Sequence, residues 1–379
     1  MKKNVILGIA ISILCIPLFM WVAWLCSPKQ KLVIAIIDKT VVNKGTQEHL
    51  SLSWVLNHNK FSKTSKELYK SDRDYFGFFP LNENKYKVKG LERFSFEQLE
   101  QLSLDCDAVY YTDAYGLYNM DWYKEKKPYG ILYGGLSDQD IEFLQLMKQK
   151  KKPIITEFNI LGDPTDMENR EKFESLFHIQ WTGWSGRYYK SLNKKVNKEL
   201  PTWVVNNYEK SNNATWSFQK EGIVLVKGAQ VVVLEMEKEL KTAHPFIVSN
   251  SKAQSMYAVP EKINYTFWFD IIKIDSNYNE SNAVYHLDVT KKGNMILKKN
   301  NIPNSFPAVT TNKSGSYKFT YLSGDFCDNK ISLNTSYFKG IEIFQSTFYD
   351  SENLESQKEF FWRFYKPMIS NILKDYIHE

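Results

Sequence analysis

The chain has 379 residues, 43% of them hydrophobic, which suffices for one large elaborated domain or two. Its net charge of +6 is mild, and its lysines are spread along the sequence rather than gathered into a block. With no arginine-rich helix, zinc-ligand spacing or basic–aromatic RNA motif, the composition argues against nucleic-acid binding.

Lys2 and Lys3 precede an apolar run, Asn4 to Cys26, that contains no charge. A helix that crosses a bilayer needs roughly 20 such residues. Residues 1–28 are therefore expected to form one transmembrane anchor, with Pro17 as a tolerated kink and Trp21 and Trp24 near the far interface. The two lysines favour a cytoplasmic N-terminus, although Lys29 and Lys31 weaken the asymmetry. That places the chain in the cell membrane, single-pass, with its main domain extracytoplasmic. A cleaved signal peptide is the alternative; its apolar region is usually shorter, and no Ala-x-Ala-like site follows this one. Cys15 and Cys26 fall within the run. Cys106 and Cys327 read as two lone thiols or as one disulfide.

KLVIAIID, residues 31–38, is the short β-branched run of a strand buried on both faces. Residues 47–58 carry Leu50, Trp54 and Leu56 at helical spacing. Ser95, with Gln98 three residues on, caps a helix over 95–104. DAVYYTD, 107–113, is a second buried strand. Residues 129–136 lead into a helix with Ser137 as N-cap, Asp140 at its third position and lysines in its last turn. KPIITE, 152–157, is a third strand, and a helix starts near Thr165 or Asp166. This alternation predicts an α/β fold over 29–200, an open, mostly parallel sheet with flanking helices.

Beyond residue 180 the pattern changes. IQWTGWSGRYYKSL reads as an aromatic, glycine-punctuated loop, and 221–235 as a hairpin around Lys227-Gly228. Residues 263–275 and 283–297 are β-rich, so 201–300 is expected to be a β-rich insertion or subdomain. SYKFTYLSGDFCD, 316–328, is again a strand ending in an acid. An amphipathic helix over 354–377, broken or kinked near Pro367, completes the return to the α/β core over 301–379.

Four buried-type strands thus finish in a carboxylate: Asp38, Asp113, Glu157 and Asp325. In an open parallel sheet all carboxyl ends lie on one edge, and ligands bind there where strand order reverses. The plainer account is that each acid caps the next helix or starts a turn. If they converge, two of them can serve as acid and base or nucleophile in glycoside hydrolysis. They can equally bind a hard cation or accept hydrogen bonds from sugar hydroxyls. Glu157, Asp113 and Asp38 are the candidate catalytic groups. Asp325, Trp184, Arg187, His49 and Glu48 are the candidate substrate-binding ones. Glu48-His49 is either an acid/base pair or an exposed helix start. Trp184 and Arg187 sit among glycines, where an aromatic face beside a planar cation suits a sugar or a peptide. His49 and His58 lie off one helical face, so no metal centre is expected, and no cofactor either. G-x-S-x-G, P-loop, G-x-G-x-x-G and H-E-x-x-H are all missing.

VIAIID, AVYYTD, YGGLSDQDIEFLQLMKQKKKPIITEFN and the late KFTYLSGDF together resemble the class I glutamine amidotransferase-like superfamily, whose fold is flavodoxin-like. The resemblance implies a cysteine nucleophile in the turn after the strand that ends at residue 157, with a histidine later. Here that turn is Glu157-Phe158-Asn159, so the resemblance implies the fold without glutamine hydrolysis. Members without the nucleophile occur as accessory domains in carbohydrate-active proteins. The expected function is therefore to bind or help assemble cell-envelope or extracellular carbohydrate. A carboxylate-dependent glycoside hydrolase and a scaffold for a membrane partner are the rival readings.

Overall fold

A computed structural model describes residues 15–45, 47–64, 67–81, 85–123, 130–313 and 315–377. It opens on a helix, α1 (residues 15–26), whose last turn is held by Lys60. The Lys60 ammonium donates to the carbonyls of Trp24, Leu25 and Ser27 at 2.9, 2.9 and 2.6 Å. A cation there satisfies orphan carbonyls and complements the helix dipole. Trp24 packs on Tyr337 and donates its ring N–H to Asn57, whereas Leu18, Phe19, Trp21, Val22 and Leu25 are exposed. The expected span from Asn4 to Cys26 begins outside the described residues. Among the described residues no helix is long and apolar enough to cross a membrane.

The first strands and helices follow the sequence pattern. Strand β1 (Ile34–Asp38) leads to helix α2 (Leu50–His58), then to β2 (Phe76–Pro80) and β3 (Tyr86–Val88). Helix α3 (Phe96–Asp105) starts with the Ser95/Gln98 capping box, and β4 (Ala108–Asp113) follows. Helix α4 (Asp138–Gln149) has the same device from Ser137 and Asp140. Strand β5 (Ile154–Thr156) precedes α5 (Met167–Phe177), which Asp166 caps.

Residues 179–189, expected as a loop, form the long strand β6 (Ile179–Tyr189). Its glycines serve the strand. Gly183 has φ +84° within a bulge between Trp181 and Ser185, and a Cβ on Gly186 would stand 2.5 Å from the Phe269 ring. After α6 (Thr202–Asn212) comes the expected hairpin of β7 (Gly222–Lys227) and β8 (Gln230–Glu235). Then follow β9 (Phe246–Ser249), α7 (Ser251–Tyr257), β10 (Lys262–Asn264), β11 (Phe269–Ile274) and β12 (Asn279–His286). The second half of 283–297, expected to be β-rich, is instead helix α8 (Lys291–Lys299), begun by the Thr290 N-cap. Strands β13 (Ser305–Asn312) and β14 (Phe319–Leu322) come next. The closing helix passes through a π segment (Phe361–Tyr365) into α9 (Lys366–Asp375). The wider π turn meets Pro367, which has no N–H to give, so the expected break becomes a loosened turn.

Ten strands make one mixed sheet in the order β10-β9-β12-β13-β14-β5-β4-β1-β2-β3. Its centre, β14-β5-β4-β1-β2, is parallel, and antiparallel strands extend both edges. Much of the segment expected as an insertion therefore continues the main sheet, while β8-β7-β6-β11 form a separate antiparallel sheet. Alternate residues of the central strands face opposite layers. Ile34, Ile36 and Tyr110 pack with α2 and α9, whereas Ala35, Ile37 and Tyr111 pack with α3, α4 and α5. Each fully buried Leu, Ile or Phe contributes about 1.5–3 kcal/mol. Lys39, 1% exposed, is held by Asp140 at 2.6 Å and Glu92 at 3.2 Å; burial would lower its pKa, but these two acids raise it overall. Cys106 and Cys327 are both buried and unbonded.

Candidate functional site

From β1 the chain moves first to β2 on one side and later to β4 on the other, so strand order reverses at β1/β4. That reversal opens a crevice at the carboxyl edge. Asp38 and Asp113, the last residues of β1 and β4, are register partners across it.

Asp38 is fully buried and organises the loop that follows it. It accepts from the backbone N–H of Thr40 at 3.1 Å and of Glu48 at 2.9 Å, and bonds the His49 Nδ1 at 2.6 Å. His49 Nε2 lies 2.9 Å from the Ser71 carbonyl, which only accepts, so Nε2 carries a proton. Asp113 accepts from the Thr40 hydroxyl at 2.5 Å, the Tyr115 N–H at 2.6 Å and the Asn159 amide at 3.2 Å. Burial nevertheless pushes its pKa up to about 7.

Glu157, with 0% exposure, joins two strand exits. One oxygen accepts from the Tyr110 hydroxyl, and the other from the N–H groups of Phe326 at 3.0 Å and Cys327 at 2.9 Å. The Tyr110 oxygen is 3.0 Å from that of Tyr365, whose hydroxyl donates to the Cys327 sulfur at 3.1 Å. Burial raises Glu157 to about 8 against these three donors. An acid at the end of a dry strand is thus fastened to the loop after β14.

A second group of acids stands in front of the first. One carboxylate oxygen from each of Glu48, Asp325 and Asp328 lies within 4.8 Å of the others. Asp325 is buried, while Glu48 and Asp328 are half-buried. Burial raises the pKa of Glu48 and Asp325 well above the carboxylate range, and the neighbouring Asp328 charge adds to both. Burial raises Asp328 as well, although Lys330 and Arg187 oppose it. Asp328 is absent from the sequence-based set, yet its position three residues beyond Asp325, in the same strand exit, is a signal that could have found it.

Arg187 and Asp328 line a shared cavity of about 540 Å³, together with Glu199, Phe267, Lys330 and Glu355. Arg187 pairs with Glu199 at 2.7 Å, and its guanidinium lies 4.8 Å from the Phe267 ring centre and 6.0 Å from that of Trp268. Its Nε is buried without a partner. Trp184 is 2% exposed and packs in the core rather than at the cavity. Of the candidates, Asp38, Glu48, His49, Asp113, Glu157 and Asp325 meet at the carboxyl edge, and Arg187 borders it through Asp328.

No family model and no curated protein matches the chain significantly. Weak neighbours among solved structures include a glutamine amidotransferase from Thermotoga maritima, 9% identical, covering 92% of this chain and 99% of that one with a TM-score of 0.36. A ThuA-like protein from Bacteroides uniformis is 10% identical over 82% of this chain and 89% of its own, with a TM-score of 0.33. A GH42 β-galactosidase is 9% identical over 86% of this chain, with a TM-score of 0.34; the match takes in 30% of that enzyme's length. Likenesses of this strength bear on neither activity nor substrate.

Proposed function

We propose that the chain binds carbohydrate of the cell envelope or extracellular surface, is held to the membrane by its apolar N-terminal run, and has no glutaminase activity. The observation that carries the reading is the cavity of about 540 Å³ in which Arg187, Phe267 and Asp328 share a wall beside the acid-lined crevice. Ligand sites commonly enclose about 300–1,000 Å³. A sugar ring offers an apolar C–H face and a rim of hydroxyls. An aromatic ring suits the former, and carboxylates and a guanidinium suit the latter. Glutaminase activity is left out because Glu157 occupies the turn where the resemblance implies a thiol.

A second reading rests on spacing. Oxygens of Glu48, Asp325 and Asp328 within 4.8 Å approach the roughly 5–5.5 Å that separates the carboxyl groups of a retaining glycosidase. Such an enzyme would use Glu48 with Asp325 or Asp328 rather than the sealed Glu157.

The test is a glycan screen of the full chain in detergent, wild type against Arg187→Ala. Binding of at least one polysaccharide class is expected, weakened about tenfold in the variant, as fits the loss of a charge-assisted contact. Failure of every glycan to bind would overturn the proposal, and release of reducing ends would favour the hydrolase. The anchor is tested by alkaline carbonate extraction of membranes, which should leave the chain in the pellet.

A further inference from the structure

The six acids at the carboxyl edge divide by what holds them. Asp38, Asp113 and Glu157 each accept three hydrogen bonds. Among the described residues, the carboxylates of Glu48, Asp325 and Asp328 have no hydrogen-bond or ion-pair partner. Asp325 is the sharpest case. It is 8% exposed, no donor reaches its carboxylate, and it is aimed at the other two acids. A buried carboxylate without a partner is strongly disfavoured. A cluster of three is tolerated when its members hold protons or when something positive completes them. Arg187 is already paired with Glu199. The amide oxygens of Gln47 and Asn329, chain neighbours of Glu48 and Asp328, are also buried without donors. Unexplained acceptors of this kind point to an ion or ordered water.

We propose that Glu48, Asp325 and Asp328 form a binding site for a hard divalent cation such as calcium. Carboxylate oxygens are the ligands such ions take. Three carboxylate oxygens all within 4.8 Å of one another can close on one such ion. Magnesium usually keeps several of its waters and takes one or two carboxylates, so three converging carboxylates suit calcium better. Softer metals lack their donors here, because both His49 nitrogens are engaged and the Cys327 thiol lies against Tyr365. Three carboxylates exceed the ion's charge by one, and Lys330 acts on Asp328 to offset the remainder. The ion would clasp the loop after β1 to the loop after β14, next to the cavity wall that Asp328 supplies. The site stands whether or not that cavity takes a carbohydrate.

The test is direct titration of the full chain in detergent, free of carbohydrate, with calcium, magnesium and manganese by calorimetry, with thermal unfolding alongside. One calcium per chain is expected, with a Kd between roughly 10⁻⁵ and 10⁻³ M and tighter than magnesium, and Tm should rise with the ion. The near-isosteric Asp325→Asn and Asp328→Asn should each weaken calcium at least about tenfold, since ligand charge sets affinity. Asp325→Asn should raise Tm without the ion, which also shows that the variant folds. Exposed Glu352→Gln should change nothing. The proposal is overturned if none of the three cations binds at up to about 10 mM, or if Asp325→Asn keeps wild-type affinity. Calcium binding without glycan binding removes only the carbohydrate reading; the reverse removes only this one.

Discussion

Glu157→Gln measures what the fold gives up to bury an acid. The side chain has 0% exposure, and its pKa stands at about 8 rather than 4.5. At about 1.36 kcal/mol per pH interval, that difference amounts to about 5 kcal/mol. The folded pKa lies above the unfolded one, so the native state keeps the proton longer. The stability this group contributes is complete below about pH 4.5 and is lost as pH rises to about 8. Glutamine keeps the shape. Its carbonyl can accept from Phe326 and Cys327, and its amide can donate to the Tyr110 oxygen. Near pH 5 the variant should lie within about 1 kcal/mol of wild type. Near pH 8.5 it should be the more stable protein by about 4–5 kcal/mol. Urea midpoints of both proteins at three pH values read this, because titrating groups remote from residue 157 cancel in the difference. A gap that stays constant across the range, or a variant that falls behind at high pH, would refute the reasoning.

Other positions make further claims. Lys39→Met strands Asp140 in the core and should lower unfolding stability by roughly 3–5 kcal/mol; a loss under about 1 kcal/mol in urea would contradict the buried pair. Lys60→Ala removes the donor to three carbonyls at the end of α1 and should raise amide exchange through residues 15–27, with little change in β4 or β5. Gly77→Ala would put a Cβ 1.7 Å from the Asp38 carbonyl at a backbone φ of +147°, so soluble yield should collapse; a normal circular dichroism spectrum would show that β2 can move.

The parallel centre of the sheet was legible because β1, β4 and β5 are apolar runs too short to be helices. Capping residues marked α3, α4 and α5 well, since Ser95, Ser137 and Asp166 each satisfy a specific N–H. What the sequence hid is tertiary in origin. Strand β6 looked like a loop because its glycines answer to Phe269 and to a bulge, neither of which is local. Strands β10 and β11 ran together in the sequence because nothing local says that they enter different sheets. The acids at strand ends were readable as a set. Their division into bonded and unbonded ones was not, because it depends on donors such as the Phe326 and Cys327 N–H groups that come from far along the chain.

Strand β14 lies in the interior of the sheet, between β5 and β13, although β6 to β13 all come between it and β5 in the chain. During synthesis β5 therefore waits as an open parallel edge until strands β6 to β13 and then β14 have emerged, and such an edge invites pairing with other chains. A product ending before residue 316 would keep that edge permanently. It would also lack Asp325, Asp328 and both backbone donors to Glu157. Truncated forms are thus expected in aggregates rather than as partly active fragments, and the cell's quality control would meet this protein mainly through the fate of one late strand.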